Sequence, residues 1–402
     1  MELTKTKYKN TDVGLIPEDW NVFVLSSLLN GIYDVDHYMP KTEKNGIPYL
    51  MTGDLKEVIG DIDFDNCKKI SETDYKQLSK KVKNSIGDII LARYATVGTV
   101  SFVNIDFDFI VSYSCVTIKP NNSKLLSLFL FYYFKSNTFK LEVNNKVNAN
   151  IQDNVGIGDL YKMKIALPPS LEEQKAIATA LSDVDDLINN LEKLIAKKKA
   201  IKQGAMQQLL TPPNRGGKRL EGFSGEWVEK RLEEISKIKT GSKNNQDKIE
   251  DGLFPFFVRS QTIERINTYS YDCEAILVPG EGGIGSIFHY INGKFEVHQR
   301  VYKISDFEID VVGKYIFLQM LFSFGKHAMT NSVKATVDSL RLPTFEEFAV
   351  PIPPTIEEQK YISNILTEMD GELEQLENRK SKYQSIKQGM MQELLTGKTR
   401  LV

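Results

Sequence analysis

The stretch Pro168-Pro169-Ser170-Leu171-Glu172-Glu173-Gln174-Lys175, running on to Ile201-Lys202-Gln203-Gly204-Ala205-Met206-Gln207-Gln208-Leu209-Leu210-Thr211, occurs twice in the chain. Its second copy opens at Pro353-Pro354-Thr355-Ile356-Glu357-Glu358-Gln359-Lys360 and closes at Ile386-Lys387-Gln388-Gly389-Met390-Met391-Gln392-Glu393-Leu394-Leu395-Thr396. The two copies keep one offset throughout and align without a gap. A repeat of that length marks a duplicated structural unit and takes precedence over every local reading.

Each copy predicts one long helix. The Pro-Pro pair is followed by Ser170 or Thr355, with Glu173 or Glu358 three residues on, the spacing of a capping box. The far ends are Thr211 before Pro212-Pro213 and Thr396 before Gly397. Between them the apolar steps alternate four and three, at Ile177, Leu181, Val184, Ile188, Leu191 and Ile195, and at Ile362, Leu366, Met369, Leu373 and Leu376. That is a coiled-coil seam, and it weakens where Lys198, Lys202, Lys380 and Lys387 fall on it. About 40 residues at 1.5 Å each make a rod of roughly 60 Å.

Charge orders the pair. The first copy is acidic early (Glu172, Glu173, Asp183, Asp185, Asp186, Glu192) and basic late (Lys193, Lys197, Lys198, Lys199, Lys202). The second repeats this, from Glu357, Glu358, Glu368, Asp370, Glu372, Glu374 and Glu377 to Arg379, Lys380, Lys382 and Lys387. Antiparallel pairing sets acid against base. Complementing each helix's own dipole is the simpler account of the same pattern. Reach favours the antiparallel pair as well. A compact domain of about 140 residues, with a radius of gyration near 14 Å, caps one end of a long rod more readily than it carries the chain back along it.

With 402 residues there is room for two or three domains with proper cores. Cys67, Cys115 and Cys273 lack C-x-x-C spacing, which implies neither a disulfide frame nor a zinc knot. The polar Met1-Glu2-Leu3-Thr4-Lys5 start does not read as a signal peptide. The longest apolar run, Leu125 to Phe134, is too short to span a bilayer, so a cytoplasmic location is expected. The net charge of −2 argues against a free-standing nucleic-acid binder. Any such binding would use local patches, or partners that supply much of the phosphate contact.

The remainder divides into two globular segments, giving four expected regions: 1–167, the helix 168–211, 212–352, and the second helix with its tail, 353–402. Short β-branched runs punctuated by Gly, Asn and Asp fill the first globule, and Leu125 to Ser136 reads as a buried helix. The second globule runs a similar course. Trp227 parallels Trp20, and Phe254 to Val258 parallels Ile47 to Met51. Glu274 to Pro279 parallels Asp88 to Arg93, Val297 to Val301 parallels Val111 to Cys115, and Lys314 to Ser323 parallels the helix. The expected fold is therefore α+β: two mixed α/β domains joined by two long helices in an antiparallel coiled coil, with pseudo-two-fold internal symmetry. The helices match closely and the globules match only in pattern. A duplicated unit has diverged where it meets something variable.

On the Pro-Pro-x-x-Glu-Glu-Gln-Lys openings and the Gln-Gly-x-Met-Gln-x-Leu-Leu-Thr closings, the whole chain resembles the specificity subunit of type I restriction–modification systems. The resemblance implies two target-recognition domains, each reading one half of a bipartite double-stranded DNA site. It implies helices that set the spacer and dock two methyltransferase subunits, and motor/nuclease subunits that join for cleavage. It implies no cofactor in this chain, S-adenosylmethionine, ATP and Mg belonging to the partner subunits.

No catalytic constellation stands out. Gly280-Glu281-Gly282-Gly283-Ile284-Gly285 matches G-x-G-x-x-G, but Ser286 to Gly293 reads as strand then turn rather than the helix a dinucleotide site requires. Methyltransferase and phosphate-loop motifs are missing, and His37, His289, His298 and His327 lack metal spacing. Base reading needs Arg, Lys, Asn, Gln or His at groove edges. The candidates are Arg93, Tyr94, Lys146, Asn148 and Asn150 in the first globule, and Arg259, Gln261, His298, Gln299, Arg300, Lys334 and Thr336 in the second. Each also reads as an ordinary surface polar residue. The competing view of the whole chain is a coiled-coil adaptor that pairs two binding modules without DNA.

Overall fold

The computed structural model describes residues 7–146, 154–283, 285–331 and 339–401. The chain forms two compact units. One holds residues up to Leu191 together with those from Arg379 on, and the other holds Glu192–Asn378. Each unit thus contains one globule, the beginning of the long helix that follows it, and the end of the other long helix.

The first unit's strands are β1 (Tyr8–Thr11), β2 (Gly14–Pro17), β3 (Asn21–Val24), β4 (Leu29–Tyr33), β5 (Ile47–Leu50), β6 (Lys68–Ile70), β7 (Ile89–Ala92), β8 (Val100–Phe102), β9 (Ile110–Val111), β10 (Cys115–Pro120) and β11 (Lys164–Leu167). Two sheets, ordered β4-β10-β7-β8 and β6-β5-β9, form its body. The run Ile89-Ile90-Leu91-Ala92 is apolar at every position because β7 is covered on both faces. Ile89 and Leu91 face the cluster built on the helix Ser127–Lys135, while Ile90 and Ala92 face a second cluster with Leu50 and Phe109.

The second unit's strands are β12 (Val228–Arg231), β13 (Lys237–Thr240), β14 (Phe254–Phe257), β15 (Glu264–Ile266), β16 (Tyr271–Pro279), β17 (His289–Val297), β18 (Val301–Ser305) and β19 (Ala349–Ile352). Six of them form one sheet, ordered β13-β18-β16-β17-β14-β15. Strand β16 repeats the two-faced burial of β7, with Ile276 and Val278 on one side and Ala275 and Leu277 on the other. Two expectations are corrected here. Asn292-Gly293 is not a turn: β17 runs through it without a break, with Gly293 at φ +145. The parallel between the globules is also one residue out of step. Ala92 pairs with Cys115 and Pro279 pairs with Val301, so Pro279 matches Ala92 and Gly280 matches Arg93.

The two repeat copies are single helices, Leu171–Leu209 and Ile356–Leu394. Ile177, Leu181, Val184, Ile188, Leu191 and Ile195 are all buried, as are Ile362 and Leu366, while Leu373 and Leu376 are half-buried. In the first unit Lys387 pairs with Asp185, Tyr132 Oη donates to Asp185 at 2.9 Å, and Lys135 pairs with Glu57 at 2.5 Å. In the second unit Lys202 pairs with Asp370 and Lys198 with Glu372 at 2.6 Å. Rising numbers on one helix meet falling numbers on the other, so the helix segments are antiparallel, acid against base. A part-exposed ion pair such as Lys198–Glu372 contributes at most about 1 kcal/mol, against roughly 1.5–3 kcal/mol per buried Leu or Ile. The apolar seam holds the helices together and the charges select their direction.

The repeated helix openings have concrete roles. Ser170 Oγ accepts the Glu173 N–H at 3.1 Å, and Thr355 Oγ1 accepts the Glu358 N–H at 3.3 Å, so the first half of the capping box is present. The carboxylates do not reach back to complete it. Glu173, buried, takes two bonds from Arg400, whose guanidinium also grips Asp19 at 2.9 Å. Glu358, buried, takes Arg219 at 2.7 Å. The neighbouring glutamines cap helices of their own globules. Gln174 Oε1 accepts the Leu126 N–H at 2.9 Å and Gln359 Oε1 accepts the Val312 N–H at 2.9 Å. In each unit, then, the arginine that follows the end of one long helix locks the opening of the other. Gly397 is needed at one such end: its φ is +70, and a Cβ there would lie 2.5 Å from Pro17 and 3.0 Å from the Trp20 ring.

Candidate nucleic-acid interface

In the second unit, topology gathers four strand ends at one edge of the sheet. Strand β14 runs parallel to β17, so Arg259 and His298 leave together, and the His298 N–H donates to Phe257 O at 3.0 Å. Strand β16 runs antiparallel to β18, which places Gly280-Glu281 beside the turn 298–300; the Gly280 N–H donates to Arg300 O at 2.9 Å. Strand β13 ends at the same edge, where Lys243 bridges to His298.

The side chains that meet there are Asn244, Arg259, Glu281, His298, Gln299 and Arg300, beside the Lys243 backbone. Glu281 sits between two arginines. Its Oε2 accepts Arg259 Nη1 at 3.0 Å and its Oε1 accepts Arg300 Nη1. Desolvation pushes the Glu281 carboxyl up, but the hydrogen bonds and charge of Arg300 and Arg259 together outweigh it and hold the carboxyl below the ordinary carboxylate range. Gln299 Nε2 donates to Asn244 Oδ1 at 2.6 Å, and His298 Nδ1 accepts the Arg300 N–H at 3.0 Å. Burial first, and then the two arginines, depress the His298 pKa. Gln261 is exposed in the turn after Arg259.

The first unit builds the same backbone corner from different side chains. The Arg93 N–H donates to Ser114 O at 2.9 Å, as Gly280 does to Arg300, and the Ser112 N–H donates to Leu50 O at 2.8 Å, as His298 does to Phe257. Tyr94 bridges to Asn154 as Glu281 bridges to Ser339. Arg93 itself is only 7% exposed. Its Nη2 faces Asp34 Oδ2 at 3.4 Å, and the guanidinium lies 5.3 Å from the Tyr94 ring. Tyr113 stacks on the exposed His37 ring at 4.8 Å.

The structure therefore brings Arg93 and Tyr94 to one corner, and Arg259, His298, Gln299 and Arg300 to the matching corner. Asn148, Asn150, Lys334 and Thr336 lie outside the described residues. Lys146 closes the helix Asn137–Lys146, and its side chain also lies outside what is described. Sequence reasoning missed Asp34, Lys243 and Glu281. Glu281 stood inside the G-x-G-x-x-G match, and nothing in the sequence signals that it meets Arg259 and Arg300, which reach it from other segments. The next element after that loop is the strand β17, not a helix. Among the described residues no group of three His, Cys, Asp or Glu is placed to hold a metal ion, and no helix is long and apolar enough to cross a membrane.

Comparison with known proteins agrees with the fold. The family described as the type I restriction modification DNA specificity domain matches residues 17–203 and 224–385, and the chain belongs to it. A putative type I restriction enzyme MjaX specificity subunit of Methanocaldococcus jannaschii is 28% identical, covering 98% of this chain and 97% of its own length. The MjaVIII specificity subunit of the same organism is 25% identical over 96% of this chain and 94% of its own. The crystal structure of a type I restriction-modification S subunit from M. genitalium superimposes with a TM-score of 0.66, covering 98% of both chains at 18% identity.

Proposed function

We propose that the chain is a non-catalytic subunit that gives a type I restriction–modification complex its DNA sequence specificity. Each strand-end corner reads one half of a bipartite double-stranded site. The long helices set the spacer between the halves and dock two methyltransferase subunits, and motor/nuclease subunits join for cleavage. S-adenosylmethionine, ATP and Mg act in those partners.

One observation carries this reading. Two units with the same backbone corner present different side chains there, while the helix openings that hold them, Glu173-Gln174 and Glu358-Gln359, make the same contacts in both. Constant scaffolding with variable tips suits a pair of reading heads. An adaptor without DNA has no need of arginines, glutamine and asparagine gathered at one strand-end edge.

The test is reconstitution. The purified chain alone should show neither methyl transfer nor ATP hydrolysis. Mixed with its methyltransferase subunits, it should direct methylation to one bipartite sequence. Activity in the chain alone, or methylation without sequence preference, would sink the proposal.

A further inference from the structure

A carboxylate is the wrong charge to present to a polyanion, yet Glu281 stands at the centre of the second unit's corner. Its two oxygens are divided: one holds Arg259 and the other holds Arg300. Each bond uses a single Nη1, and among the described residues neither guanidinium has another hydrogen-bond partner. A guanidinium carries five donors in a rigid planar fork, so every arginine keeps a second amino group and its Nε–H unspent. The side chains of Arg259 and Arg300 are about half exposed, and Glu281 is more covered, at 24%. Three separate chain segments deliver these groups, so the arrangement is a product of the sheet edge and not of local sequence.

Resting on the DNA-reading role proposed above, we propose that Glu281 is the specificity-determining positioning residue of the second half-site. By bridging two guanidiniums it fixes both forks with their free donors outward. Paired N–H donors in that geometry match O6 and N7 of guanine in the major groove. The second half-site therefore contains guanines that Arg259 and Arg300 read, and Glu281 sets that preference without itself touching a base. Neutralising the carboxylate frees the forks to swing onto phosphates, which carry no sequence information.

The experiment uses the full complex of this chain with its methyltransferase subunits. A DNA library randomised in both half-sites is methylated and sequenced, and binding is measured from low to moderate salt. Glu281→Ala should lower guanine discrimination in the second half-site by about 10-fold or more, with the first half-site unchanged. Glu281→Gln keeps the shape but offers one carboxamide oxygen, enough for one arginine, so it should relax fewer guanine positions than Ala. Glu281→Asp should restore part of the preference. Tighter binding at every sequence with the base preference intact would show a mere electrostatic brake and overturn the proposal. A lowered melting temperature with an unchanged methylation pattern would reduce Glu281 to a structural residue and also overturn it. If the wild-type complex itself lacked sequence preference, the reading role would fail, and this proposal with it. A selective wild type with equally selective variants would overturn only the present inference.

Discussion

At the corner after β7 the first unit carries Arg93 and Tyr94; at the matching corner after β16 the second carries Gly280 and Glu281. The backbone hydrogen bonds are the same pair by pair, and the chemistry is not. In the first unit the arginine is inside, facing Asp34, and aromatic rings of Tyr94, Tyr113 and His37 stand nearby. In the second the arginines are outside, about half exposed and tied to Glu281. The difference teaches that a position in the alignment does not define a role. The position of Arg93 is taken in the second unit by Gly280, and the arginines there arrive on other segments, at 259 and 300.

The most severe way to break the comparison is to exchange a whole corner. Replacing 212–352 with the corresponding globule of another subunit should replace the second half-site completely and leave the first intact, as methylation mapping will show. A change in both halves would mean that the units do not read independently.

A finer test sets Arg93 against Arg300. Arg93→Ala removes a buried guanidinium and strands Asp34, which is 28% exposed. Loss of a fully buried pair member costs about 3–5 kcal/mol; the partial exposure of Asp34 reduces this to about 2–3 kcal/mol. Denaturant unfolding should show it. Arg300→Ala should cost under about 0.5 kcal/mol in the same measurement, but about 1–3 kcal/mol of base discrimination in the second half-site. Equal behaviour of the two variants would erase the distinction drawn here.

The smallest expected effect is a pH dependence confined to the second unit. The native His298 pKa lies below the ordinary 6.5, so the unfolded chain takes up the proton first. The neutral ring's contribution is complete above pH 6.5 and is lost as the pH falls from there toward the native value. Protonation also removes the Nδ1 acceptor used by the Arg300 N–H. Acidification from pH 7.5 to 5.5 should therefore loosen the 298–300 turn in hydrogen exchange, and His298→Gln should flatten that response. A turn equally protected at both values would return His298 to a bystander.

The helices were legible in the sequence down to their ends, because period and capping are local properties. The seam positions from Ile177 to Ile195 are buried as read, and the acid-to-base gradient of each helix pairs antiparallel. What Glu173 and Glu358 do was not legible: a capping box and an ion pair to a distant arginine share one spacing. Residues 88–93 and 274–279 were aligned one step out, since two apolar strands covered on both faces have no alternation to fix their register.

Sequence alone determined the duplication, the two long helices, the antiparallel sense and the polar residue types near each globule's loops. These follow from periodicity, charge order and composition, which are written along the chain. Tertiary structure alone decided that Arg400 and Arg219 lock the helix openings, that Arg93 points inward, and that Glu281 joins Arg259 and Arg300. Each of these joins segments far apart in the chain. Their meeting depends on strand order and register, which are settled only when the sheet forms and its two faces are covered.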